Sequence, residues 1–206
     1  MTTTSEQRGS TAAAPSPSAR VARVVTEICA PSVLIVVLCL AVGWHAGRWS
    51  GLAWGLAAAV CASLGPMSVV VIGVIRRRYT DHHLTTHEDR KVFLIIALFL
   101  VVAGTIVLAV AGAPRDVVAV EAAMLAGLLV STAITRVWKI SFHTGVAAAA
   151  LVIVTILYGP WLTCALPVLI LIGWSRVRLH HHTLGQVLAG APIGAVAATL
   201  AFLAVR

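Results

Sequence analysis

Charge is scarce in this chain. Only 11% of its 206 residues are Asp, Glu, Lys or Arg, 60% are hydrophobic, and the mean hydropathy is +0.99. A soluble domain carries roughly 25% charged residues, so a water-exposed globular surface is excluded and a bilayer is the expected solvent. No polar stretch is long enough for a separate soluble catalytic domain. The four cysteines, Cys29, Cys39, Cys61 and Cys164, stand singly in apolar stretches without a CxxC pair. That excludes a disulfide framework and a thiolate zinc site, and reads them as packing residues. The N-terminal region lacks the early apolar run and small-residue cleavage pattern of a secretory signal. Its Ser- and Arg-containing, acid-poor composition leaves an organellar presequence open as a minor alternative.

What is present is apolar helix length and an excess of base. Residues 1–28, rich in Ser, Thr, Ala and Pro, read as a disordered tail, because such a composition buries too little apolar surface to order itself. Residues 29–206 read as a transmembrane domain. Spans of roughly 20 residues are expected near 31–47, 52–75, 92–112, 116–135, 145–158, 161–174 and 187–205. The fold class is therefore all-α, a polytopic helical bundle of six to seven spans. One long helix over 145–174 would merge two of them, but Gly159 and Pro160 favour a tight reversal there.

The formal net charge is +8. The bases lie in short clusters between apolar runs, not on the broad exposed surface that phosphate-backbone binding needs, so no nucleic acid partner is expected. Arg8, Arg20 and Arg23 lie in the tail. Arg76, Arg77, Arg78, Arg90 and Lys91 lie in a first link over 76–91. Arg136 and Lys139 fall in a second over 136–144, and Arg176 and Arg178 in a third over 175–186. Only Arg48, Arg115 and Arg206 fall on the other side. By the positive-inside rule the crowded face is cytoplasmic and the chain a multi-pass protein of the cell membrane.

Histidine follows the same division. His45 lies on the sparse face, whereas His82, His83, His87, His143, His180, His181 and His182 all lie in the three basic links. Any one of them reads as an interfacial residue hydrated by headgroups. Seven on one face, with arginine and serine beside them, read as a site, since ionisable groups at membrane depth are costly and mark function. In the third link, a helix starting near His180 puts His182 and Gln186 one turn apart on one face, with Ser175 and Arg176 supplying a hydroxyl and a bidentate oxyanion donor. In the second, Ser141 and His143 open an apolar helix, whose positive end suits an anion.

Taken in order, HLTTHEDRK at 83–91, ISFH at 140–143 and SRVRLHHHTLGQ at 175–186 resemble the KxxxxxxRP, PSGH and SRxxxxxHxxxD motifs of the type 2 phosphatidic acid phosphatase superfamily, whose members share a core with vanadium haloperoxidases. The third match is the most specific and the first is degenerate. The resemblance runs from about residue 76 to the C-terminus.

It implies a membrane phosphatase acting on a lipid phosphate. His182 takes the place of the nucleophile that forms a phosphohistidine, and His143 that of the acid that protonates the departing alkoxide and then activates water. His83, Arg90, Ser141, Ser175 and Arg176 form the phosphate cradle, and Gln186 orients His182. No metal or cofactor enters that scheme.

Four positions depart from the pattern. His83 stands where the family has lysine, Lys91 where it has proline, Phe142 where it has the glycine of PSGH, and Gln186 where it has aspartate. A glutamine oxygen can still accept a ring N–H, but it brings no negative charge to an imidazolium. Two rival readings exist. One is a histidine-rich membrane metal oxidase, suggested by His83, His87 and His180–His182 but lacking repeated HxxHH boxes. The other is a non-catalytic lipid-binding or transport relative, suggested by Gln186 and Phe142.

Overall fold

The computed structural model describes residues 16–75 and 87–206, and side chains throughout these except at Val70, Val74 and residues 87–94. The described residues contain no strand. Eight helices run in order: α1 (Pro17–Ile28), α2 (Pro31–Ala59), α3 (Gly65–Ile75), α4 (His87–Val110), α5 (Arg115–Thr135), α6 (Phe142–Tyr158), α7 (Leu166–Arg178) and α8 (Leu184–Val205). A π-helical turn, Val60–Leu64, joins α2 to α3, and a 3-10 turn, Pro160–Ala165, joins α6 to α7. The expected all-α class is observed. Four helical stretches, Pro31–Gly73, Arg115–Thr135, Pro160–Arg178 and Leu184–Val205, are long and apolar enough to cross a membrane.

The first of these stretches is not one rod. Gly47 and Arg48 leave helical geometry, Arg48 with a φ of 52°, and the chain doubles back there. A Cβ at Gly51 would collide with the carbonyl oxygen of Gly43, and one at Gly55 with that of Cys39. The two arms of α2 therefore pack backbone to backbone, which only hydrogen side chains at the seam permit. At the open end of this hairpin the Ser63 hydroxyl donates to the carbonyl of Ser32 at 3.0 Å.

The remaining helices stack against the hairpin around a core of Leu38, Val42, Ala59, Val117, Val120, Ile153 and Phe202. One end of the bundle is closed by polar side chains from four helices. Asp116, in the first turn of α5, accepts from Arg206 Nε at 2.9 Å and lies 3.2 Å from His45 Nδ1, while the Tyr158 hydroxyl donates to Ala41 at 2.6 Å. Its position at a helix N-terminus also suits the carboxylate electrostatically. Trp44, Trp49 and Trp161 belong to the helix ends at this side.

Two expectations are corrected. Residues 17–28 are a helix, not part of a disordered tail. Ser16 caps it by accepting from the Ala19 N–H, Pro17 occupies the first helical position, and Ala22 and Thr26 are buried, a start signature of serine then proline. Residues 1–15 lie outside the described residues. Second, Ser175 and Arg176 belong to the last turn of α7 and not to a link, because the helix runs on to Arg178.

The glycine seam generates a contrast. Gly51→Ala is expected to lower the thermal midpoint in detergent by overpacking worth about 1–3 kcal/mol. Gly127→Ala, where an added Cβ meets nothing within 4 Å, should leave it unchanged or raise it. Circular dichroism melts of the two variants decide the point.

Candidate functional site

At the other end of the bundle, the first turns of α6 and α8 and the last turn of α7 converge. Ser141 caps α6, and its N–H donates to the Gln186 carbonyl at 3.1 Å. Thr144 Oγ1 donates to the carbonyls of Ser141 and Val187 at 3.1 and 3.2 Å. The two helices can approach this closely because Gly145, Gly190 and Gly194 form the seam; a Cβ at Gly190 would stand 2.5 Å from the Ser141 carbonyl oxygen. The second and third links of the sequence are thereby locked together.

The α7–α8 connection is built by the three consecutive histidines. His180 is left-handed, with a φ of 56°. The His181 N–H reaches the Arg176 carbonyl at 3.0 Å and the His180 N–H that of Val177 at 3.0 Å. This is the paired bonding that ends a helix in a Schellman turn, with histidine at the position glycine usually holds. The His182 N–H also points to the Arg176 carbonyl, at 3.3 Å, so the backbone of Arg176 fixes that of His182.

His182 itself precedes α8. The helix starts at Leu184 with Thr183 as its N-cap, so the expectation that His182 and Gln186 share a helical face is corrected. They meet all the same. Gln186 Oε1 accepts from the Thr183 N–H at 3.1 Å, completing a capping box, and lies 3.2 Å from His182 Nδ1. Because the oxygen is fixed as an acceptor by Thr183, Nδ1 must carry the ring proton. The lone pair is then on Nε2. Burial, with the Lys139 and Arg176 cations next, holds the His182 pKa down to about 4, against the opposing pull of the Gln186 bond. The ring is a neutral base at pH 7.

Arg176, His182 and His181 all act electrostatically on the half-buried ring of His143, in the first turn of α6. Arg176 is buried, 9% exposed, and its Nε–H has no hydrogen-bond partner among the described residues. Lys139 donates to the His181 carbonyl at 3.2 Å. The structure thus brings Lys139, Ser141, His143, Arg176, His182 and Gln186 to one end of the bundle.

Ser175 is turned elsewhere. Its hydroxyl donates to the Ile172 carbonyl at 2.7 Å and bonds Thr26 of α1 at 3.0 Å. Phe142 lines an apolar cavity of about 140 Å³ together with Ser32, Met67, Val101 and Met124. Arg90 belongs to the first turn of α4, with its side chain outside the described residues, as is the whole of His83. Thr26 and Glu27 were invisible to motif reading, although the Ser16–Pro17 start and the three-to-four spacing of Ala19, Ala22 and Thr26 signal their helix.

One turn below Arg176 and His143, at Ile172 and Ala147, an apolar groove of about 280 Å³ begins between α2, α6 and α7, walled by Leu38, Val154 and Val168 among others. Among the described residues no three metal-ligating side chains cluster.

A contrast at the histidine turn checks its geometry. His180→Gly is expected to leave stability unchanged or raised, since glycine adopts the left-handed region freely. His180→Val should cost about 1–2 kcal/mol, measured as a shift in unfolding midpoint in detergent. Comparisons with protein-family models, with curated proteins and with solved structures return no match.

Proposed function

We propose that this chain is a multi-pass membrane phosphatase that hydrolyses a phosphomonoester or diphosphate on a lipid alcohol. The observation that carries the reading is a buried guanidinium with an unused N–H beside an imidazole whose tautomer leaves Nε2 bare. A buried cation without a bonded anion calls for one from outside, and a neutral imidazole under the electrostatic influence of that cation, with its lone pair on Nε2, can serve as a nucleophile. The likeness of its second and third links to the type 2 phosphatidic acid phosphatases supports the same chemistry.

In this scheme Arg176 and Arg90 hold the equatorial phosphate oxygens, with Ser141 at the α6 N-terminus. His182 Nε2 attacks phosphorus, the bond to the lipid oxygen breaks, and His143, protonated as the anionic phosphate enters, gives that proton to the leaving alkoxide. In the second half, His143 takes a proton from water, the water oxygen attacks the phosphohistidine, and His182 departs with its lone pair restored. Gln186 keeps the proton on Nδ1 throughout. The groove below Arg176 receives the hydrocarbon, so that the phosphate stays at headgroup depth.

On this reading the two arms of α2 count as separate crossings and α3 continues the second, so that seven crossings would return all three basic links to the site end. Arg48, Arg115 and Arg206 fall at the end carrying Trp44, Trp49 and Trp161. The site end is cytoplasmic on this reading. Polyprenyl and glycerolipid phosphates both meet the site's demands.

Free-phosphate release from a panel of lipid phosphates in detergent tests the function. His182→Ala and Arg176→Ala are expected to abolish it with the fold intact by circular dichroism, and chelators to leave it unchanged; full turnover in His182→Ala refutes the nucleophile. The lowered His182 pKa fixes a sign. Neutral imidazole persists as pH falls, so the acid limb of kcat/KM should lie near pH 4 and not near 6.5. Between those values the unfolded chain binds the extra proton, so stability also declines with falling pH. Gln186→Glu keeps the capping box and adds charge at Nδ1, so its rate should equal or exceed the parent's, with the acid limb moved to higher pH.

A further inference from the structure

The helix that the composition hid, α1, carries three distinct faces. Ala22 and Thr26 are buried. Val21, Val24 and Ile28 are 53%, 56% and 65% exposed and lie on a second face. Arg20, Arg23 and Glu27 are exposed on a third, as spacings of three and four require. No other described helix is so strongly divided.

Its orientation follows from its bonds to α7. At one end of α1, Ser16 and Ser18 accept from the Arg178 guanidinium at 2.9 Å each. Near the other end, Thr26 bonds Ser175 at 3.0 Å. Some ten residues of α1, about 15 Å of helix, thus meet a single turn of α7. The helix lies across the end of α7 and not along it. On the reading that the Pro160–Arg178 stretch crosses the membrane, α1 lies close to the membrane plane, and the apolar α2 starts at Pro31, directly after it.

We infer that α1 is a docking helix for the anionic surface of the leaflet bordering the site, with Arg20 and Arg23 on the headgroups and Val21, Val24 and Ile28 in the acyl border. The division of faces is that of interfacial helices, and two bases near an anionic surface attract it within a Debye length. Water is the wrong solvent for three large aliphatic side chains in one stripe, and the first turn of a membrane helix a few residues on leaves α1 no route away from the bilayer. Thr26 on Ser175, and Glu27, which acts electrostatically on Arg176, bring this contact to the wall of the site. The inference rests on the membrane reading and is independent of the reaction proposed above.

Hydrogen exchange of the full chain in nanodiscs tests it, comparing phosphatidylcholine alone with phosphatidylcholine mixed with phosphatidylglycerol. Amides of α1 are expected to exchange about tenfold more slowly in the anionic discs, with those of α5 unchanged. The doubly substituted Arg20→Glu, Arg23→Glu chain should lose that difference. Equal exchange of α1 in both lipids overturns the inference, as does a difference that survives the double substitution. Protection that appears in lipid-free detergent and rises with protein concentration, alongside a dimer mass, assigns the stripe to a second copy and overturns it too. Because the readout is exchange and not turnover, a protein without activity tests the inference equally well.

Discussion

The seam between α6 and α8 is the constraint on which the site depends. Two helix starts lie close enough for the Ser141 N–H to bond the Gln186 carbonyl and for Thr144 to bridge to Val187. This distance exists only because Gly145, Gly190 and Gly194 present bare backbone. Two helix N-termini, each with unsatisfied N–H groups and a partial positive charge, are thereby aimed at the same small volume. Burial at this junction, with Lys139 and Arg176 beside it, disfavours protonation of His182.

One amide oxygen then sets the chemistry of the ring. Gln186 Oε1 is held by the Thr183 N–H as a helix cap, and the cap leaves it no option but to accept from His182. An aspartate in this role would add charge; the glutamine gives orientation without it. The residue therefore contributes no charge to offset an imidazolium, in a setting hostile to positive charge.

Much of this was legible in the sequence, and for specific reasons. Apolar runs broken by basic links locate helix ends, so the convergence of Ser141, His143, Arg176 and His182 followed from span parity alone. Local conformation was harder. His180 reads as one of three similar imidazoles, and its left-handed backbone depends on how α7 ends. The direction of Ser175 could not be read either, because its partner, Thr26, lies far away in sequence. α1 was missed because polar composition argued against a core; it needs none of its own, being buried on one face against α7. The first link lies largely outside the described residues, so His83 and the Arg90 side chain stay expectations.

The hairpin of α2 also bears on how the chain acquires its shape. Gly43 meets Gly51, and Cys39 meets Gly55, across a reversal only a few turns of helix away. Contacts so local need little loop closure and form quickly, and they use backbone alone, without waiting for side chains from elsewhere. During synthesis this pair can assemble as soon as its second arm emerges, giving later helices a finished surface on which to condense.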